Sequence, residues 1–207
     1  MFEQTISRQT KQSLEVIGSL PLSKQFYLAG GTALALQIGH RTSLDLDFFT
    51  VKKFSENRCI HTLSQKNKFT LIQKDWQTIH GKFNSTRVSF IHYPYKLLYK
   101  TSIFCNAQLA DIRDIACMKL DAVATRGSKK DFIDLYVILR QLYALEKVLL
   151  IFQKKYKQVD YNIVHVLKSL VYFVDADKDP MPNMFIDLSW EEVKQFLKKE
   201  TRRVSLV

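Results

Sequence analysis

The sequence predicts an α/β (α+β) fold: a small mixed sheet in the first half, followed by a lobe built only of helices. Three observations carry this. Apolar alternation of period two is confined to residues before 108. A strand–glycine–helix–strand signature occupies residues 25–49. From Asp111 onward strand signals nearly vanish and helical periodicity takes over. The chain divides on this reading into a core over 1–108 and a helical lobe over 109–207, without a linker, a repeat or a low-complexity tract.

Residues 4–19 read as an amphipathic helix ended by Gly18 and Pro21. A short apolar strand, Gln25 to Ala29, breaks at Gly30 and Gly31. The Ala- and Leu-rich run TALALQIGH then begins a helix near Thr32. Gly39 and the polar stretch His40 to Ser43 stop it, and LDLDFF alternates as a half-buried strand. Residues 54–65 look helical. KFTLIQKDW and TRVSFIHYPY read as strands, with Gly81, Asn84 and Ser85 as turn material between them, giving a sheet of three or four strands. Helices are predicted over 111–126, 130–142, 144–156, 160–173 and 189–199, with DADKDPMPN as a loop before the last.

Composition narrows the class. With 46% hydrophobic and 25% charged residues the chain is that of a folded globular protein. No run approaches the roughly 20 apolar residues of a membrane span, and MFEQTISRQTKQ lacks the apolar core of a signal peptide, so a cytoplasmic protein with no membrane partner is expected. Cys59, Cys105 and Cys117 are odd in number and widely spaced, which favours reduced thiols over disulfides or a zinc site. Lys and Arg outnumber Asp and Glu by 31 to 20, a net charge of +11 that suits a polyphosphate or nucleic-acid partner.

The chemistry concentrates in Gly30-Gly31-Thr32, a helix, and then Asp45-Leu46-Asp47. On a strand, side chains at i and i+2 share a face, so Asp45 and Asp47 project together while Leu46 packs behind them. Two carboxylates so placed suit Mg2+ (or Mn2+), which takes oxygen ligands and bridges protein acids to triphosphate oxygens. The glycines let backbone approach a phosphate at the start of the next helix, and the Thr32 hydroxyl can add a donor.

The run FYLAGGTALALQIGHRTSLDLDFF, with its glycine pair and R-x-S-x-D-x-D segment, resembles the AbiEii/AbiGii toxin family of nucleotidyltransferases, within the DNA polymerase β-like superfamily. The resemblance continues to MKLDAVATRGSKKDFIDLYVIL and spans essentially the whole chain. It implies transfer of a nucleoside monophosphate from an NTP to an acceptor, with RNA, at the tRNA 3′ end, as the expected target and an antitoxin protein as partner. It adds Arg41 and Ser43 to Gly30, Gly31 and Thr32 as nucleotide-binding positions. It also places Lys119, with Asp134 or Asp131, in the active site, and turns Arg126 and Lys130 toward nucleotide phosphates. One departure stands out: many polymerase β-like enzymes carry a third acid on a later strand, and RVSFIHYPY has none.

The second region also reads from helical geometry. On a helix over 111–126, Ile112, Ile115, Ala116, Ala122 and Val123 share one arc, with Asp114, Asp121 and Thr125 opposite. Lys119 falls inside the apolar arc and Arg126 follows on the same side, so both cations are expected to point inward and to need partners. Asp131 and Asp134 lie three apart on a helix that is apolar almost all round, and either is a candidate partner for Lys119. A purely structural ion pair is the competing account. His61, His80, His92 and His165 have no ligand spacing, whereas His40 sits close enough to the motif to touch substrate or to serve the loop. Asp175, Asp177 and Asp179 lack the glycine and distal glutamate of a calcium loop. Phe152, Tyr156, Tyr161, Tyr172 and Phe173 are expected to pack helices. Two other functions compete with RNA modification: nucleotidyl transfer to a protein or small-molecule hydroxyl, and RNA binding without catalysis.

Overall fold

A computed structural model describes residues 1–66, 68–159 and 161–204. The chain separates into two compact units, Met1–Asp111 and Ile112–Val207.

The first unit is built on a seven-stranded mixed sheet of order β3-β4-β5-β2-β1-β7-β6. Its strands are β1 (Tyr27–Ala29), β2 (Leu46–Thr50), β3 (Phe69–Asp75), β4 (Thr78–Phe83), β5 (Thr86–His92), β6 (Ser102–Phe104) and β7 (Ala107–Leu109). The β2–β5 and β1–β7 pairs are parallel and the rest antiparallel. The sheet is larger than the three or four strands expected. β4 was hidden because Gly81 reads as a turn, yet it lies in mid-strand beneath the Phe69 ring. The β6–β7 hairpin has only three residues per strand, too few to show a period.

One face of the sheet forms the core. Leu46 and Phe48 of β2, Ile79 and Phe83 of β4, and Val88 and Phe90 of β5 are all buried. Phe48 and Phe90 stack at 5.1 Å, and Phe26 meets Phe90 edge-on at 5.2 Å. Helix α1 (Arg8–Ser19) starts where Ser7 accepts the Thr10 amide at 3.0 Å, four residues later than the periodicity suggested. It docks on the sheet through Leu14 and Ile17, and Ser13 donates to the Phe83 carbonyl at 3.1 Å.

Gly18 does not end α1, which continues to Ser19. Its place is set by packing instead. A Cβ there would overlap the Cys105 carbonyl oxygen and lie 3.0 Å from the Ala107 nitrogen, both in the β6–β7 hairpin. Helices α2 (Gly30–Ile38) and α3 (Glu56–Ser64, capped by Ser55) complete the unit.

The second unit holds α4 (Ile112–Thr125), α5 (Lys129–Gln141), α6 (Leu145–Lys155), α7 (Ile163–Ser169) and α8 (Trp190–Val204). Helix α7 is shorter at its C-terminus than predicted, and the predicted start at Asp160 lies outside the described residues. Helix α8 runs five residues past the predicted 199. In the intervening loop Asp175 pairs with Lys178, Asp177 accepts from the Trp190 indole at 2.6 Å, and Asp179 accepts the Lys129 amide at 2.9 Å, so these acids tie the loop down. Phe152, Tyr156 and Tyr161 pack as a triangle of rings and Phe173 meets Phe132, while Tyr172 is exposed.

Among the described residues no helix is long and apolar enough to cross a membrane. Cys59 and Cys117 are buried thiols, each pushed up by burial to about 12, and all three cysteines are free.

Gly18→Ala is expected to lower stability by about 1–3 kcal/mol, the usual cost of overpacking. A urea midpoint equal to wild type would show that the β6–β7 hairpin can move aside.

Candidate active site

The register of β1 against β2 builds the site. Ala29, the last residue of β1, is paired with Asp47. The chain must then leave the sheet at once, and it does so at Gly30 with φ +68°. That left-handed conformation costs an L-residue about 1–3 kcal/mol. A Cβ on Gly30 would also press against Asp47 Oδ2 at 3.2 Å. Gly30 thus lies directly against the second acid of the pair.

Gly31 meets a different neighbour. A Cβ there would overlap the guanidinium of Arg41, with Ser43 Oγ at 3.4 Å. Arg41 is buried and its Nη1 donates to the Thr42 carbonyl at 2.9 Å. The room left by the missing side chain is filled from within the protein, by the loop that leads to the acids.

Thr32 completes that loop. Its hydroxyl is buried, donates to the backbone carbonyl of Asp45 and shares a 2.8 Å hydrogen bond with Ser43 Oγ. The hydroxyl therefore fixes the chain carrying Asp45. The Ser43 amide donates to the Thr5 carbonyl at 2.8 Å, so the N-terminal segment clamps the same loop. His40, expected near substrate or in a loop role, is buried.

Asp45 and Asp47 fall on the face opposite the core. From Asp45 to Thr50 the chain alternates, with Asp45, Asp47 and Phe49 half-buried and Leu46, Phe48 and Thr50 buried. Asp45 immediately precedes β2. Among the described residues its carboxylate has no hydrogen-bond or ion-pair partner. Two acids on one face, with one carboxylate's oxygens uncommitted, form the donor set that suits Mg2+, which binds through one or two carboxylates and completes its shell with water and phosphate. No group of three or more His, Cys, Asp or Glu among the described residues is arranged to hold a metal by itself.

Helix α2 opens on this side without a side-chain cap.

Sequence reasoning missed a neighbouring pair. The parallel register sets Ser89 of β5 beside Asp47, and Ser89 Oγ lies 3.1 Å from His80 Nδ1 on β4. Ser89 thus stands next to the acid pair on a later strand that carries no acid. Only strand register reveals it, because 42 residues separate Ser89 from Asp47 in the chain.

The helical unit holds its charges differently. Lys119 on α4 is 5% exposed and contacts two carboxylates of α5, Asp131 at 2.8 Å and Asp134 at 2.6 Å. Arg126 joins Asp131 through Nε at 2.8 Å and a terminal nitrogen at 3.0 Å, and Ser128 Oγ donates to Asp131 at 2.6 Å. Burial pushes the Asp131 carboxyl up, but the Lys119 charge and the Arg126 hydrogen bond and charge outweigh it. Together they hold the carboxyl well below the usual carboxylate range.

Two placements correct the helical reading. Arg126 reaches the buried Asp131 but is not itself buried: its side chain is 62% exposed, beside a 350 Å³ cleft also lined by His165, Lys168 and Tyr172. Asp114, expected on the polar side of α4, is fully buried and pairs at 2.7 Å with Lys155 of α6, also fully buried. The wheel failed there because α4 is covered by α5, α6 and α7 and has no solvent-facing stripe at that level. Lys130 is exposed, while Lys129 is buried.

With this geometry in place, relatives can be compared. The family model described as "Nucleotidyl transferase AbiEii toxin, Type IV TA system" matches residues 14–96, the stretch carrying the glycine turn and both acids. The uncharacterised protein aq_aa25 of Aquifex aeolicus is 36% identical over 209 residues, covering 95% of this chain and 96% of the relative. The chain belongs to the AbiEii nucleotidyltransferase toxin family. Two crystal structures from Helicobacter pylori, one described as a nucleotidyltransferase and one as JHP933, share the fold of this AbiEii chain. Each has a TM-score of 0.56 at 18% identity, covering 96% of this chain and 95% or 93% of the other. As an AbiEii member the protein is an enzyme of nucleotidyl transfer.

The Asp131 cluster gives a pH signature. Its carboxyl is depressed in the folded state, so its stabilisation is complete above the ordinary carboxylate value of about 3.9 and is lost as pH falls toward the folded value. Asp131→Asn should cost about 1–3 kcal/mol at neutral pH, because the buried Lys119 loses one of its two carboxylate partners and keeps Asp134. The gap to wild type in urea denaturation should narrow below about pH 4. A gap independent of pH would remove the carboxylate from the account.

Proposed function

We propose that this AbiEii enzyme transfers a nucleoside monophosphate from an NTP to a hydroxyl of RNA, with the tRNA 3′ end as acceptor, and that Asp45 and Asp47 hold the Mg2+ (or Mn2+) that the reaction needs. The observation that carries this is the Asp45–Asp47 pair on one face, packed against the left-handed turn at Gly30. A divalent cation there would neutralise charge on the triphosphate and on the developing pyrophosphate.

The chain's own contribution is positioning. Thr32 and Ser43 hold the Asp45 backbone, and Arg41 fills the space behind Gly31. The uncapped start of α2 offers amides to phosphate oxygens, and its dipole favours their charge. The acceptor hydroxyl gives its proton to solvent as its oxygen bonds to the α-phosphorus, the bond from that phosphorus to the bridging oxygen of the β-phosphate breaks, and pyrophosphate leaves. Lys119, Asp131 and Asp134 belong to the proposal through family resemblance, as do Arg126 and Lys130.

An RNA acceptor is favoured by the +11 net charge, which a small neutral acceptor would not require. The type IV toxin–antitoxin description of the family supports an antitoxin partner. Incubation with each labelled NTP, magnesium, and total RNA, protein or metabolites separates the readings. Label on tRNA supports the proposal, label on protein or a small molecule moves the acceptor, and label nowhere leaves a binding module.

Asp45→Asn and Asp47→Asn should each abolish transfer while the urea midpoint stays near that of wild type. Full activity in either variant would remove that acid from the metal site. Lys119→Met should weaken NTP binding, measured by calorimetry. Unchanged NTP affinity with lowered stability would make Lys119 a structural ion-pair residue.

A further inference from the structure

The sheet face that carries Asp45 and Asp47 continues outward across β5 and β4. In the row through Asp47, the partners are Ser89 and then His80. In the next row, Arg87 of β5 stands directly opposite Lys82 of β4. Both are exposed, and their chain neighbours Gly81, Phe83, Thr86 and Val88 are buried, so both cations lie on the same face as the acids. The β2–β5 register begins with Leu46 against Val88, and Asp45 and Arg87 are the residues that immediately precede that pair.

Two cations directly opposite each other across antiparallel strands repel, at a cost of about 0.2–1 kcal/mol. Among the described residues nothing relieves it. Among the described residues neither Lys82 nor Arg87 forms an ion pair or a side-chain hydrogen bond, and the β3 residue beside Lys82 is the uncharged Thr70. Such a pair favours an anion shared between its two side chains.

Strand order says which anion. Asp45 and Asp47 lead into or lie on β2, with β1 and its glycine turn on one side and β5 and β4 on the other. Two elements that favour negative charge thus flank the acids: the start of α2 on the β1 side and the Lys82–Arg87 pair on the β5–β4 side. Displacement at phosphorus places the attacking and leaving oxygens roughly in line, on opposite sides of the reacting centre. If the α2 side takes the donor's triphosphate, the opposite side is where the acceptor approaches. At a strand spacing of about 4.8 Å, Arg87 and Lys82 stand about 5 and 10 Å from the line of β2, within reach of a phosphate just upstream of a reacting terminal nucleotide.

We propose that Lys82 and Arg87 form the acceptor subsite, binding the phosphodiester backbone of an RNA strand so that its terminal hydroxyl is presented to Asp45 and Asp47. This rests on the nucleotidyl-transfer reading of those two acids, and it names residues that choose a polyanionic acceptor over a small molecule.

The test reads binding without turnover. A fluorescein-labelled single-stranded RNA ending in CCA is titrated with the full chain at several KCl concentrations, and log K is plotted against log salt. For single strands each phosphate contact contributes about 0.7 to the slope, so Lys82→Ala/Arg87→Ala should flatten it by about 1.4 and each single variant by about 0.7. NTP affinity should be unchanged. Removing the like-charge contact should leave the urea midpoint equal or raised, which excludes misfolding as the cause.

An unaltered slope in the double variant overturns the proposal. So does a fall in NTP affinity, because the pair would then serve the triphosphate. Asp47→Asn keeps the two hypotheses apart: loss of transfer with a wild-type salt slope supports both. Should wild type label protein instead of RNA, the acceptor reading of the enzyme falls even if the slope result stands.

Discussion

Everything at the candidate site follows from one register, Ala29 of β1 against Asp47 of β2. Because β1 ends opposite the second acid, the chain has no strand left in which to turn, and Gly30 must do so in the left-handed region against the Asp47 carboxylate. A shift of one residue would turn Asp45 and Asp47 into the core and Leu46 and Phe48 out of it. The buried aromatic contacts of Phe48 and Phe90 resist that shift, so core packing and acid placement are one constraint. The loop between α2 and β2 is held with similar economy, by Thr32, Ser43 and Arg41, from the side of the helix and from the N-terminal segment.

The helical unit depends on a different kind of interaction. It buries Lys119 with Asp131 and Asp134, and Lys155 with Asp114. Buried ion pairs rarely raise stability relative to apolar packing, but losing one member is costly because the other is stranded. α4 contributes to both clusters, to α5 through Lys119 and to α6 through Asp114, so the packing of three helices is specified by charge as well as by shape.

The acid pair, the glycine turn and the division into a sheet-bearing half and a helical half were legible because each has a short-range signature: an i, i+2 spacing, a Gly-Gly break, a change of period. Assignments that depend on distant partners were not. Gly81 looked like a turn because the sequence does not show the Phe69 ring above it. Gly18 looked like a helix stop because its neighbour, the Cys105 carbonyl, is 87 residues away. Asp114 looked solvent-facing because Lys155 arrives from another helix, and Arg126 looked buried because a wheel does not show where the covering helices end. Ser89 and His80 carried no local motif and acquire a place only through the β2–β5 and β4–β5 registers.

The parallel pairing of β1 with β7 has a bearing on how the molecule comes into being. Strand β1 sits between β2 and β7, and Leu28 is matched to Leu109. The strand leading into the glycine turn therefore lacks one of its two flanking strands until the ribosome has delivered residues 107–109. Contacts so remote in sequence form slowly, since the intervening loop must first be closed. A nascent chain halted before that hairpin would carry both acids on a sheet whose β1 strand is still open on one side.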